Sequence, residues 1–243
     1  MIFRQLFDRE SSTYTYLVGD EASGSAALFD TVHHHVSRDL GLVEELGLRL
    51  THVFDTHVHA DHLTGAGELR ARTGARTHVA RAGGAPCADA PLADGDGVRI
   101  GEIEVRVLST PGHTAGCLSF LVGEGGVFER VLTGDALLVR GCGRTDFQEG
   151  DAGALFDSVT QKLFTLPERT LVYPAHDYRG FPHSTIGEEK RHNPRLGKGA
   201  TRAAFVAVMA ALDLPPPARL AELVPANRAC GEAGGGKLPP RPA

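Results

Sequence analysis

The sequence predicts an α/β (α+β) fold in which two mixed β-sheets pack together with helices on the outside. Three observations carry this reading. Strand-type and helix-type segments are mixed through the whole chain rather than segregated into halves. Several strands are joined by hairpin turns, which argues against a purely parallel sheet. The chain has 243 residues, enough to bury a full core at the upper end of one domain.

Phe3 to Phe7, Thr13 to Val18 and Ala26 to Phe29 read as three strands broken by polar or glycine turns. Val36, Leu40, Val43 and Leu46 recur at helical spacing, with Gly47 as the C-terminal cap. Leu50 to Asp55 is a short buried-type strand, followed by a helix-like stretch from Asp61 to Thr73 that Gly74 closes. Thr77 to Ala80 is another strand. Gly97 to Leu108 is a hairpin in which Ile103, Val105 and Val107 alternate with Glu102, Glu104 and Arg106. Cys117 to Val122 and Arg130 to Leu132 continue the strand series. Leu155, Val159 and Leu163 mark a helix that Asp151 caps, Thr170 to Tyr173 is a strand ending at Pro174, and Phe205, Met209 and Leu212 mark a last helix. Seven of the 14 prolines follow Leu214, as do Gly234 to Gly236. The expected organisation is one folded catalytic domain over 1–214 and an extended Pro/Gly-rich tail over 215–243, packed on that domain or trailing from it.

Composition narrows the function. Apolar residues make up 42% and charged residues 23%, which excludes disordered, collagen-like and coiled-coil chains. A net charge of −5 argues against a broad nucleic-acid or anionic-membrane surface. No run approaches the ~20 apolar residues that span a bilayer. The first twenty residues resemble neither a signal peptide nor a transit peptide, so the expected compartment is the cytoplasm, or the mitochondrial matrix in a eukaryote. Cys87, Cys117, Cys142 and Cys230 form no Cys-x-x-Cys pair, so reduced thiols are expected and a Cys-rich zinc site is excluded.

Histidine is the outlier: there are 12, against no Trp and 2 Met. His57-Val-His59-Ala-Asp61-His62 follows the strand Leu50 to Asp55. In extended chain alternate side chains face one way, so His57, His59 and Asp61 can converge. Three further strands end in a metal-type side chain: His113 after Leu108, Asp135 after Leu132, and His176 after Tyr173. Any one of these alone reads as an ordinary polar loop residue; together they predict one metal centre along a shared sheet edge. His33, His34 and His35 read as a surface cluster, because three adjacent helical residues point in different directions. His52 and His78 read as strand residues.

The set His57-x-His59-x-Asp61-His62, His113, Asp135 and His176 resembles the metallo-β-lactamase superfamily, and the resemblance runs nearly to Cys230. It implies an αβ/βα sandwich with the metal site at one edge of the two sheets. Within the superfamily, the stretch Asp135 to Gln148, Tyr173-Pro-Ala-His-Asp-Tyr178 and Asn193-Pro-Arg-Leu196 look like persulfide dioxygenases of the ethylmalonic encephalopathy protein type. That resemblance implies one Fe(II) per chain, held by His57, His113 and Asp135, with three coordination positions open for water, O2 and substrate. It makes His59, Asp61, His62 and His176 the groups that orient those ligands, with Asp177 beside them.

The implied reaction is oxidation of glutathione persulfide by O2 and water to sulfite and glutathione. Arg144 is the first choice for a glutathione carboxylate and Tyr178 for substrate or catalysis, with Arg140 and Arg179 behind them. For Arg144 the competing role is to brace the Gly141-Cys142-Gly143 turn. Expected partners are glutathione persulfide and O2, with no nucleic acid and no membrane. A homodimer is admitted, although no patch identifies an interface. Two alternatives stand beside this: a dinuclear zinc hydroxyacylglutathione hydrolase using the same residues with Asp135 bridging, and a non-catalytic metal-binding protein of the same fold. The second is disfavoured because all seven metal-type positions are filled.

Overall fold

The structure, a computed structural model, describes residues 1–217 and 219–231. Among them two sheets face each other. The first contains, in spatial order, β1 (Ile2–Phe7), β2 (Tyr14–Asp20), β3 (Ser25–Phe29), β4 (Arg49–Phe54) and β5 (Arg76–His78). The second runs β11 (Ser184–Thr185), β10 (Leu171–Pro174), β9 (Val127–Gly134), β8 (Leu118–Glu124), β7 (Ile103–Ser109) and β6 (Gly97–Ile100). Both are mixed. Hairpins pair β1 with β2, β6 with β7 and β8 with β9 antiparallel, whereas β3–β4, β4–β5 and β9–β10 pair parallel.

The period-2 alternation of each strand sorts its side chains into layers. Tyr16, Val18, Phe29 and Phe54 point from the first sheet to meet Ile103, Val105, Phe120 and Leu132 of the second, forming the central core. The opposite faces carry helices. Leu17, Leu28 and Val53 pack under α1 (Val36–Glu45) and α2 (Ala66–Thr73). Leu121, Val131 and Val172 pack under α3 (Ala152–Gln161), α4 (Ile186–His192) and α5 (Arg202–Ala210). This is the expected αβ/βα sandwich. Strands β4, β7, β9 and β10 all deliver their C-terminal ends to one edge. The sheets are stitched there by Tyr14 N–H to the Ala175 carbonyl at 2.7 Å and by Leu118 N–H to the Thr56 carbonyl at 2.8 Å.

Four expectations need correction. The helix expected from Asp61 begins only at Ala66, because the preceding backbone is bonded elsewhere: Thr64 N–H goes to Asn227 and Gly65 N–H to the Thr31 carbonyl. Helix α4 lies in a stretch without apolar periodicity. Its signal was the capping box, in which Thr185 accepts from Glu188 N–H while the Glu188 carboxylate accepts from Thr185 N–H. The segment after 214 is not simply extended. It forms α6 (Leu220–Arg228), which buries Leu223, Val224 and Asn227 and packs Val224 against Val58, Val79 and Ala85. Gly234 to Gly236 and the last prolines lie outside the described residues. Finally, Cys87 and Cys230 are not free thiols but a disulfide, with Cα atoms 5.8 Å apart. The fold brings together two cysteines 143 positions apart, which no local spacing signals. Cys117 and Cys142 are free and buried.

A cross-link over so long a loop removes much denatured-chain entropy. Replacing Cys87 by Ser is expected to lower unfolding free energy by about 2–5 kcal/mol in urea titrations. An unchanged midpoint would mean that the bond contributes nothing to the native state.

Candidate metal centre

The chain leaves β4 at Phe54, and residues 55–65 cross the sheet edge as irregular backbone. Three groups hold that backbone. Asp30, at the end of β3, accepts from Thr56 N–H at 2.7 Å and from the Thr56 hydroxyl at 3.1 Å. Gln148 donates to the Val58 carbonyl at 2.8 Å. Asn227 of α6 donates to the His59 and His62 carbonyls at 2.9 and 2.8 Å and accepts from Thr64 N–H at 2.9 Å.

Proton positions then decide what each imidazole can bind. The Thr56 hydroxyl proton goes to Asp30, so Thr56 Oγ1 accepts from His57 Nδ1–H at 3.0 Å and His57 Nε2 keeps its lone pair. His113 Nδ1–H donates to the Arg144 carbonyl at 2.7 Å, which frees its Nε2 as well. That Nε2 lies 3.5 Å from Asp135 Oδ2. The ligand atoms of His57, His113 and Asp135 all fall within 4.8 Å of one another. Burial, reinforced by the neighbouring His59 and His113, holds the His57 pKa well below its ordinary value, so it is neutral. Burial acts to raise Asp135, but the surrounding histidines, His176 first, pull it below the usual carboxylate range. Two bare nitrogens and one carboxylate oxygen, with no proton among them, suit one cation.

The other four predicted residues are engaged differently. His59 donates Nε2–H to Asp30 Oδ1 at 3.0 Å. Burial opposes its charge, but Asp30, Asp61 and Asp55 raise its pKa to about 9, and its Nδ1 is buried without a hydrogen-bond partner. His176 donates Nδ1–H to Asp135 Oδ1 at 2.7 Å and Nε2–H to Asp61 Oδ2 at 3.0 Å. Burial again opposes charge, and the two carboxylates again prevail, raising it well above its ordinary value. Asp61 Oδ2 also accepts from His62 Nδ1–H at 2.9 Å and from the Thr13 hydroxyl at 3.1 Å. His62 is left with a bare, buried Nε2 that has no hydrogen-bond partner. The ligand atoms of His59, Asp61 and His62 also lie within 4.8 Å of one another, so these residues form a second group of metal-type donors beside the first.

The sequence from Asp135 to Gln148 wraps the first set. Gly143 N–H returns to the Asp135 carbonyl at 2.8 Å. A Cβ at Gly143 would lie 2.6 Å from that carbonyl oxygen and 2.8 Å from His113 Nδ1, so only glycine fits. Buried Asn193 donates to the Gly141 carbonyl and to Glu189, which explains the Asn193-to-Leu196 stretch as a prop under the same turn.

Arg144 orients His113 through its carbonyl. Its guanidinium is committed to both Asp146 oxygens at 2.7 Å and to the carbonyls of Leu214 and Pro215. Its side chain therefore braces this wall, which corrects the expectation that it is the main substrate cation. Arg140 is tied to Glu189 and Ser184. Asp177 does not touch the three metal-type donors as expected. Its carboxylate caps the following turn through Arg179 and Gly180 N–H and accepts from Tyr14. Tyr178 is exposed at the mouth, its ring parallel to His176 with centroids 5.9 Å apart.

His34 and His35 also depart from a scattered surface cluster, since both reach one oxygen of Asp8. The sequence reading missed Thr13, Asp30, Thr56 and Asn227. Asp30 carried the same strand-end signal as the residues that were chosen, whereas Asn227 carried none.

A cavity of about 720 Å3 opens over the centre, lined by His57, His113, Asp135, Tyr178 and the arginines 140, 144, 179 and 195. A sandwich of two mixed sheets with this centre at one edge defines a class, and the family model described as metallo-beta-lactamase superfamily matches residues 8–176. The chain belongs to the metallo-β-lactamase superfamily. Within it, the chain groups with the persulfide dioxygenases. It is 47% identical to human mitochondrial persulfide dioxygenase ETHE1 over 95% of this chain and 89% of the relative. It matches the crystal structure of ETHE1 from Myxococcus xanthus at 57% identity and a TM-score of 0.92, covering 96% of this chain and 100% of that one. A hydroxyacylglutathione hydrolase of Rhodospirillum rubrum is more distant, at 39% identity over 69% of this chain and 63% of the hydrolase.

Asn227→Ala is expected to unpair two buried carbonyls and one N–H, costing about 2–5 kcal/mol of stability. It should also speed metal loss to a chelator. A variant with wild-type stability and metal retention would show that the loop holds itself.

Proposed function

We propose that the chain is an Fe(II)-dependent persulfide dioxygenase that converts glutathione persulfide, O2 and water to glutathione, sulfite and protons. The observation that supports the one-metal form is the likeness to persulfide dioxygenases, together with the clustering of His57, His113 and Asp135 within 4.8 Å. His57 and His113 present bare Nε2 atoms toward Asp135. His176 spends both nitrogens on carboxylates. Iron, when bound, supplies the redox chemistry and a common attachment point for O2 and the persulfide sulfur.

The protein's own residues do the rest. Thr56 and the Arg144 carbonyl hold the two ligand imidazoles in their tautomers. The His176 cation fixes Asp135 Oδ1 and leaves Oδ2 directed at the centre. His59 and His62 pack behind the ligands, with Asp61 joining His62 to His176. Tyr178 at the mouth offers a phenol to the bound substrate. Arg179 and Arg195 line the cavity without a carboxylate partner among the described residues, which suits them to the two carboxylates of glutathione. The Arg195 guanidinium lies 3.8 Å from Cys142 Sγ and 4.0 Å from Met209 Sδ. No described helix is long and apolar enough to cross a membrane.

The dinuclear hydrolase reading would use the same residues with His176 Nε2, 3.0 Å from Asp61 Oδ2, as a ligand, and what disfavours it is the lower likeness to hydroxyacylglutathione hydrolases than to persulfide dioxygenases. Anaerobic purification is expected to give near-stoichiometric iron and O2 uptake that depends on glutathione persulfide. Two zinc ions per chain with thioester cleavage and no O2 uptake would overturn the assignment. Asp135→Ala should lose iron and activity together, because it removes the only carboxylate ligand; full iron in that variant would refute the ligand set. Arg195→Ala should raise KM for the persulfide about tenfold or more with kcat nearly unchanged, and an unchanged KM would exclude it from the substrate site.

A further inference from the structure

We propose that Asp8, His34 and His35 form a second cation site, separate from the catalytic centre, that takes one divalent transition-metal ion of the zinc or nickel type. The sequence places His34 and His35 side by side, where helical geometry normally turns neighbours apart. Here they sit in a single 3-10 turn, His33–His35, and their rings lie 4.1 Å apart. Both Nε2 atoms reach the same oxygen, Asp8 Oδ1, at 3.0 Å. The three ligand atoms lie within 4.8 Å of one another. Metal–ligand bonds of roughly 2.0–2.2 Å put neighbouring ligands about 3 Å apart, so this spacing suits a coordination edge as well as it suits hydrogen bonds.

The carboxylate is built in rather than incidental. Asp8 is 3% exposed, and its other oxygen is fixed by the Ser11 hydroxyl at 2.6 Å and Ser11 N–H at 2.9 Å. Burial alone acts to raise Asp8, but those hydrogen bonds and the two histidines hold it ionised, below the usual range. His35 is kept neutral by burial and then by the Arg38 cation, which leaves its lone pair available once Nε2 gives up its proton. Arg38 is itself paired with Asp39 at 2.8 Å, so its charge toward the site is partly neutralised. The histidine side chains are 32% and 25% exposed, which leaves an open path from solvent and room for water ligands. Two imidazoles and one carboxylate are a donor set for zinc, nickel, cobalt or copper rather than for magnesium or calcium. The site also touches the catalytic centre indirectly, because Ser11 Oγ lies 2.7 Å from Thr13 Oγ1, which bonds Asp61.

The test is anaerobic titration of the iron-loaded protein with Zn2+, followed by desalting and counting of both metals. The expected result is one zinc per chain with iron retained. A His34→Ala/His35→Ala double variant should bind that zinc at least tenfold more weakly while keeping its iron, melting temperature and persulfide-dependent O2 uptake. His34→Gln provides a milder variant if the double substitution unfolds. Equal zinc uptake by wild type and variants, or no uptake by wild type, would overturn the proposal. So would zinc that enters only as iron leaves, which would place it in the catalytic centre. Because occupancy is counted by metal analysis, the result stands whether or not the persulfide reaction is confirmed.

Discussion

The hydrogen bonds from His176 to Asp135 and Asp61 organise the rest of the centre. Both carboxylates and the imidazole are removed from bulk water, so neither charge is tolerated without the other. The shared imidazole holds Asp135 in one orientation, with one oxygen satisfied and the other 3.5 Å from His113 Nε2. The same imidazole places its Nε2 3.0 Å from Asp61 Oδ2, so one side chain joins the two groups of metal-type donors.

That arrangement needs a rigid frame, and the frame is assembled from distant parts of the chain. Asp30 at the end of one strand sets Thr56 and through it His57. The Arg144 carbonyl sets His113, at a turn that only glycine at 143 can approach closely enough to close. Asn227 ties the histidine loop to the C-terminal helix, and the Cys87–Cys230 disulfide ties the end of that helix back to the body. The loop between β4 and α2 has spent its own backbone groups on these contacts, which is why its helix starts late.

Much of this was legible in the sequence. The strands and the two helical faces follow from period-2 and period-3.6 patterns, which are local. The metal-type residues were legible because each follows a strand, and parallel strands end at one edge. Arg144 shows where such reasoning stops: its type and position suited a substrate carboxylate, but Asp146 and the backbone near Pro215 use the guanidinium first. Helix α6 was hidden because a proline-rich composition masks Val224, which becomes buried only against Val58 and Val79. The paired histidines 34 and 35 were hidden because Asp8 lies 26 and 27 positions away.

The sequence by itself determined the fold class, the seven side chains at the sheet edge and the likeness to persulfide dioxygenases. These depend on residue type and local periodicity. Only the tertiary structure decided which imidazole nitrogens meet a carboxylate, carbonyl or hydroxyl and which are left without a partner. It also decided that Cys87 meets Cys230, and that Asn227 holds the histidine loop. Each of these depends on a partner remote in the chain, and a donor or acceptor has no assigned role until burial and that partner's position decide where its proton goes.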